Sequence, residues 1–353
     1  MKSIVKQVVG IDVAQTELVV CLGKMYDDWS PTLVAHKSFS NNEKGFIDLV
    51  KWTKKQTEAT IAVRFVMEAT GVYHESLAYY LDANELEVSI IVPNKISSYA
   101  RSLDTKTVTD KTASEAITRF GLERKLHQWH RPKGLYKKLR QLTRERCQLV
   151  AERTMLKNQL HAEEAEAEPH KKSIERTKKR IALLDKQGKE IVEELKELIS
   201  SDSEITRLLL LICSIPGIGL LTAATVLGET NGFDLIRNKK QLTSYAGLDV
   251  KEKQSGTSVK GKPHISKKGN KHLRKALHLP ALTAIRHDER FKAIFVRLVS
   301  KHGVKMKAAV AVQRKLLEMI FTIYKKQNPY DKDYFKCQYE TVETVIEIEV
   351  CAV

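Results

Sequence analysis

The sequence predicts an α/β domain followed by a longer, mainly helical region. Three observations carry this. Val- and Ile-rich runs alternate with helical patterns over residues 1–130. Leucines then recur at helical spacing among charged residues over 131–200. Apolar helices and a Gly- and Lys-rich stretch fill 201–335, and residues 336–353 remain as a tail.

The run Val8-Val9-Gly10-Ile11-Asp12-Val13-Ala14 reads as a buried strand with a single carboxylate. An acid there is costly unless a metal ion or hydrogen bonds to a neighbouring loop compensate it. Residues 16–22 and 34–39 read as further strands, and 41–54 as a helix with an Asn cap. A strand over 60–67 ends on Glu68-Ala69-Thr70-Gly71. A helix over 73–81, a strand over 88–92 stopped by Pro93, and helices over 95–103 and 112–120 follow. The order β-β-β-α-β-α-β-α is that of a mixed sheet with helices on its faces, compatible with a ribonuclease-H-like domain.

Beyond it, Leu135, Leu139, Leu142, Leu149, Leu156 and Leu160 fall on steps of four and three, with Arg146 and Arg153 filling the gaps. After Pro169 the series continues through Ile174, Ile181, Leu184, Ile191, Leu195 and Leu198. This is an antiparallel helical hairpin or a dimeric coiled coil: a solvated spacer, or an arm for dimerisation or for gripping nucleic acid. Residues 342–350 alternate Val or Ile with Glu, as an edge strand or a tail would.

Sixty Lys and Arg against 43 Asp and Glu leave a net charge of +17. An excess of that size points to a polyanion, with nucleic acid the first expectation and a membrane surface the weaker one. No apolar run approaches the roughly 18 residues of a spanning helix. The most apolar stretch, 208–221, is broken by Pro216, Gly217 and Gly219. No apolar segment follows the N-terminal lysines, so no signal peptide is expected. Cys21, Cys147, Cys213, Cys337 and Cys351 are far apart and suit free thiols in a reducing compartment.

Two further acids join Asp12. Glu68 ends a later strand, and Asp110 lies where 106–112 enters a helix. Three carboxylates converging at a sheet end make a hard, all-oxygen site suited to Mg²⁺ or Mn²⁺. Two such ions can clamp both oxygens of a phosphoryl transfer.

In the C-terminal half, Ser214-Ile215-Pro216-Gly217-Ile218-Gly219 separates apolar helices over 205–213 and 220–227. This is a helix-hairpin-helix pattern, whose Gly217 and Gly219 suit DNA-backbone contact, or an ordinary helical corner. Residues 253–287 then hold nine Lys or Arg and no acid. Lys260, Lys262, Lys267, Lys268, Lys271, Arg274 and Lys275 form the dense part, a one-signed run expected to face nucleic acid. Among Gly256, Gly261 and Gly269 lie Ser255, Thr257, Ser258 and Ser266. A hydroxyl among cations is a candidate nucleophile toward phosphorus; alone, such a serine is a turn residue.

The motifs Gly10-Ile11-Asp12-Val13-Ala14, Met67-Glu68-Ala69-Thr70-Gly71-Val72-Tyr73 and Ala100-Arg101-Ser102-Leu103 with 106–111 resemble one family. Tyr245-Ala246-Gly247-Leu248, Gln254-Ser255-Gly256, Ile265-Ser266-Lys267-Lys268-Gly269-Asn270 and Leu273-Arg274 resemble the C-terminal domain of the same family. That family is the bridge-RNA-guided insertion-sequence transposases of the IS110 group, which share the pattern with Piv-type DNA invertases.

The resemblance spans roughly residues 6–330. It implies a RuvC-like DEDD catalytic domain over 1–130, a coiled-coil arm over 131–200 and a transposase domain over 201–335. It implies Mg²⁺ (or Mn²⁺) held by Asp12, Glu68 and Asp110, with Ser255 forming a phosphoserine link to DNA. Ser258 is second in line, because the spacing from Ser255 to Gly269 is one residue longer than in the family. The implied partners are double-stranded DNA of the element ends and target, a non-coding bridge RNA, and further copies in a homodimer or homotetramer with a composite site. The implied location is the bacterial cytoplasm, at the nucleoid, with no membrane.

The family's motif ends in two Asp three apart, whereas Ala113 stands at the second position here. Glu115, about 140° round a helix from Asp110, and Asp104 in the preceding loop are the alternatives. Ser114 shares the face of Asp110 but is a weak ligand. A hydrolytic nuclease or Holliday-junction resolvase, in which carboxylates alone activate water, is the first competing expectation. A nucleic-acid-binding protein with a decayed metal site is the second.

Overall fold

The computed structural model describes residues 2–69, 71–103, 107, 109–234, 236–252, 254–255, 259–261 and 263–331. Asp104, Ser258, Lys262 and the 336–353 tail, with its expected 342–350 strand, lie outside them. Two compact units divide the chain, Met1–Arg131 and Pro132–Val353.

The first unit contains β1 (Ile4–Val13), β2 (Glu17–Tyr26), β3 (Pro31–Ser40), α1 (Glu43–Gln56), β4 (Val63–Glu68), α2 (Glu75–Ala83), β5 (Glu87–Ile91), α3 (Pro93–Arg101) and α4 (Asp110–Glu123). The expected order is present. The first three strands run longer than the apolar runs suggest, because antiparallel ladders carry polar residues along with their neighbours. The five strands are ordered β3-β2-β1-β4-β5, with β4 and β5 parallel to β1.

β1 is buried on both faces, which explains its unbroken apolar run. Val9, Ile11 and Val13 pack in one core with Phe46 and Leu49 of α1 and Leu77 and Leu81 of α2. Val8 turns to the opposite face, toward Ile96 of α3 and Ile117 and Leu122 of α4. Each such side chain contributes about 1.5–3 kcal/mol when fully buried. The polar residues of β1 are satisfied rather than solvated. Gln7 bonds both ways with Glu58 and donates to the carbonyl of Ile61. The Lys6 ammonium closes the C-terminus of α4 on the carbonyls of Gly121, Leu122 and Arg124.

The second unit opens with α5 (Gly134–Glu164) and α6 (Lys171–Ser200), a hairpin with Pro169 in its short connection. Ion pairs Arg153–Asp185 (2.5 Å) and Lys178–Glu164 (2.8 Å) link the two helices. The base of the hairpin is core: Tyr136, Leu139, Leu142, Ile191, Leu195 and Ile199 share one apolar cluster with the helices that follow. Farther out, Leu156 and Thr177 are buried, while Leu149, Ile174, Ile181 and Leu184 are only half-buried.

Next come α7 (Ser203–Cys213), α8 (Leu220–Thr230) and α9 (Lys239–Tyr245). Two short ribbons follow, β6 (Val250–Lys251) with β9 (His264–Ile265) and β7 (Gln254–Ser255) with β8 (Val259–Lys260). The unit continues with α10 (Lys271–Ala276), α11 (His278–His287), α12 (Glu289–His302) and α13 (Lys305–Lys326). The single helix expected over 271–279 is broken at Leu277. Pro280 cannot donate a backbone hydrogen bond, so it sits in the first turn of a new helix.

Candidate active site

The parallel register of β1 and β4 pairs Gly10 with Val66 and Ile11 with Met67. The next step along both strands sets Asp12 beside Glu68, at the strand ends. Side chains alternate, so both acids share the face that carries Val8 and Val66, the face covered by α4.

α4 brings the third acid. Thr109 caps it, accepting from the Thr112 backbone N–H while the Thr112 hydroxyl accepts from the Thr109 N–H, so the helix starts at Asp110. Gly10 sets how close α4 comes. A Cβ there would overlap the Thr118 hydroxyl and lie 2.5 Å from the Thr118 backbone nitrogen. The Thr118 hydroxyl instead bonds to the carbonyl of Cys21. The glycine two residues before Asp12 thus lets the helix carrying Asp110 lie against the strand.

Asp12 is half-buried, and its pKa is pushed up to about 6. Burial is the main cause, followed by the charges of Asp110 and Glu68. Both other carboxylates therefore lie within electrostatic reach of Asp12. Among the described residues, no three His, Cys, Asp or Glu side chains are gathered tightly enough to ligate one ion, so the acids form a loose set. The donor chemistry fits a hard divalent cation: all the oxygens are carboxylate, and their mutual repulsion is the kind a cation relieves.

The fourth position is Ala113, and Ser114 beside it is buried with its hydroxyl donated to the Lys111 carbonyl. Glu115 is engaged elsewhere, 2.9 Å from His36 Nε2 of β3. Its position around the helix from Asp110 points it across β2 toward β3, so in this arrangement it is not in the acid set. His36 could not be paired with it by sequence spacing, since only the sheet register brings them together.

In the second unit, Ser255 lies in the β7–β8 ribbon opposite Val259. Beside it in sequence, 245–249 and 266–270 are laced together. The Ser266 hydroxyl donates to Asp249 Oδ1 (2.5 Å), and the Asn270 backbone N–H to the Tyr245 carbonyl (2.8 Å). Arg274 donates to the carbonyls of Ala246 and Gly269. A buried carboxylate anchors this lacing. Glu229 of α8 receives two bonds from Arg144 (2.6 and 2.8 Å) and one from Asn270 (2.6 Å). Burial alone would raise its pKa, but Arg144 and Asn270 hold it below the usual carboxylate value. Glu229 carries only a faint signal in the sequence, a lone acid at the end of an apolar helix.

The expected cation cluster divides. Lys267, Lys268, Lys271 and Lys275 are exposed, Lys275 with its ammonium 3.0 Å from Cys147 Sγ. Arg274 is a structural tie, as its carbonyl bonds show. The two hairpin glycines also differ. Gly217 has φ +85° and a Cβ there would lie 2.6 Å from the Pro280 carbonyl, so packing explains it. Gly219 is the exposed N-cap of α8 with open space before it.

Comparison with known proteins matches both halves. A DEDD transposase family of IS110 type matches residues 9–163, and the transposase IS116/IS110/IS902 family matches residues 209–295. The pilin gene-inverting protein of Moraxella lacunata is 30% identical over 336 residues, covering 93% of this chain and 98% of that protein. The corresponding protein of Moraxella bovis is 29% identical over 333 residues, with the same coverage. A transposase for insertion sequence element IS1111A of Coxiella burnetii is 29% identical over 144 residues, 39% of this chain and 37% of that one. Among solved structures, Thermus thermophilus RuvC in complex with a Holliday junction substrate aligns with 35% of this chain and 99% of its own, at 8% identity and a TM-score of 0.27. With both family matches in order along one chain, and a relative aligned over almost its whole length, the chain belongs to the IS110-type DEDD transposase family that also takes in the pilin gene-inverting proteins.

Proposed function

We propose that this protein cuts and rejoins DNA as the transposase or invertase of a mobile element, guided by a bridge RNA. The observation that carries the reading is that Asp12 and Glu68 end neighbouring strands on the face covered by α4, whose first residue is Asp110, in a chain whose second half carries the Ser255 motif. Asp12, Glu68 and Asp110 would hold Mg²⁺ or Mn²⁺, which supplies charge neutralisation at the reacting phosphate. The Ser255 oxygen forms a bond to phosphorus, and the bond from phosphorus to one deoxyribose oxygen breaks. The serine proton leaves to a base and the departing oxygen gains one, giving a phosphoserine link that a second deoxyribose hydroxyl reverses. Lys267, Lys268 and Lys271 follow that motif in sequence and are exposed, so they supply positive charge to a bound phosphate backbone. Sequence choice then rests on RNA–DNA pairing, with the protein holding backbone and shape.

A rejoining assay tests this. Full-length protein, Mg²⁺, the flanking transcript and a supercoiled plasmid carrying the element ends should give recombined circles. Asp12→Asn, Glu68→Gln and Asp110→Asn should each lower the yield by at least about 100-fold while leaving DNA binding intact, given the several kcal/mol such electrostatic groups supply. Recombination that persists in all three variants would refute the reading.

A further inference from the structure

The first unit carries a second basic feature, at the free edge of its sheet. β3 is the edge strand, and α1 packs beside it, leaving a groove of about 640 Å³ between them. Lys37, Lys44, Lys51 and Lys55 line it, all exposed, over a floor that includes Trp52 and Phe39. Lys44, Lys51 and Lys55 lie seven and four residues apart on α1, which makes one stripe about 16 Å long. Asp48 is the one carboxylate among them.

On other helices Lys196, Lys292 and Lys315 each pair with a glutamate three residues away, Glu193, Glu289 and Glu318. In the groove, Asp48 stands four residues after Lys44 and three before Lys51, yet among the described residues it makes an ion pair with neither. Four cations in one concave surface, none in an ion pair among the described residues and Lys37 resting over the Phe39 ring at 5.3 Å, is an arrangement that a polyanion completes.

Its place in the fold says which polyanion. The register runs Asp12 to Val19 to Ser38, and Ser38 lines the groove. Two strand spacings put Ser38 about 10 Å from Asp12, backbone to backbone. The lysines lie on the other face with Phe39 and α1, so a nucleic-acid strand reaches them by passing round the β3 edge. Asn41, at the same rim, donates its amide to the carbonyls of Ala14 (2.8 Å) and Tyr73 (3.2 Å), which ties the groove to the loops following Asp12 and Glu68. We infer that the β3–α1 groove is a track for the backbone of the DNA strand running away from the phosphodiester at Asp12, gripping phosphates within a few nucleotides of it. The inference rests on the DNA chemistry proposed above.

The test uses the full chain in EDTA, so that a failure of the acid chemistry cannot imitate a failure of the groove. Binding of a duplex spanning the element end is measured by fluorescence anisotropy across 50–200 mM KCl for wild type, the quadruple K37A/K44A/K51A/K55A variant and the matching quadruple Arg variant. Each phosphate contact contributes about 0.9 to the slope of log K against log salt, so losing all four should make the Ala variant shallower by about 3.6. It should bind at least about tenfold more weakly at low salt, while the Arg variant keeps the wild-type slope. Methylphosphonates next to the reacting bond should weaken wild type and leave the Ala variant unchanged. An unaltered slope in an Ala variant that melts as wild type does, or a loss confined to the RNA transcript, would overturn the inference.

Discussion

Asp12 is held at a cost. Burial and the charges of Asp110 and Glu68 raise its pKa to about 6, against an ordinary value near 3.8. A carboxyl whose folded pKa is raised stabilises the fold below its unfolded pKa, and that contribution is lost as pH rises through 6. Asp12→Asn should therefore stabilise the metal-free protein at pH 8, by about 1 kcal/mol once solvent screening is allowed for. The gain should vanish near pH 4, and thermal melts in EDTA at both pH values check it. Glu229 has the opposite sign. Its pKa is depressed, so its stability is present above about pH 4.5 and is lost as pH falls below that. Glu229→Gln should cost about 2 kcal/mol at pH 7, since it breaks a largely buried pair with Arg144, and progressively less in acid, as read by urea titration. Asp12 was legible in the sequence because a carboxylate inside an apolar strand demands a reason. The His36–Glu115 pair was not, because two residues 79 positions apart meet only through the register of β1, β2 and β3.

At the scale of elements, the distance between α4 and β1 positions the acids. Gly10→Ala would drive Thr118 and its backbone away from the strand. Overpacking of this kind costs about 1–3 kcal/mol. It should also lower recombination more than stability, because the displaced helix carries Asp110; the ratio of activity to folded fraction measures this, and Gly10→Ala with wild-type activity would contradict it. The strand–helix order of the first unit follows from short apolar runs and their punctuation. The two ribbons around Ser255 did not announce themselves, since strands of two residues carry no period. The leucine spacing of α5 and α6 announces a hairpin, but it does not distinguish the base, which packs on α8, from the outer portion, where most of the series is half-buried.

For the whole molecule, the net charge of +17 points to a polyanion without locating it. The run at 253–287 was conspicuous because it is contiguous. The β3–α1 groove draws Lys37 from a strand and the other lysines from a helix, so it exists only once the sheet edge and α1 are packed. The proposed nucleophile and the proposed acids belong to different compact units, and their cooperation on one phosphodiester is the central claim. It is tested most directly by covalent trapping. Protein, Mg²⁺, end-labelled element DNA and the flanking transcript are combined and resolved on a denaturing gel. A labelled band is expected at the mass of protein plus DNA, and it disappears in both Ser255→Ala and Asp12→Ala. Cleaved DNA without that band, unchanged in Ser255→Ala and lost only in Asp12→Ala, would contradict this cooperation and identify a water-activating nuclease.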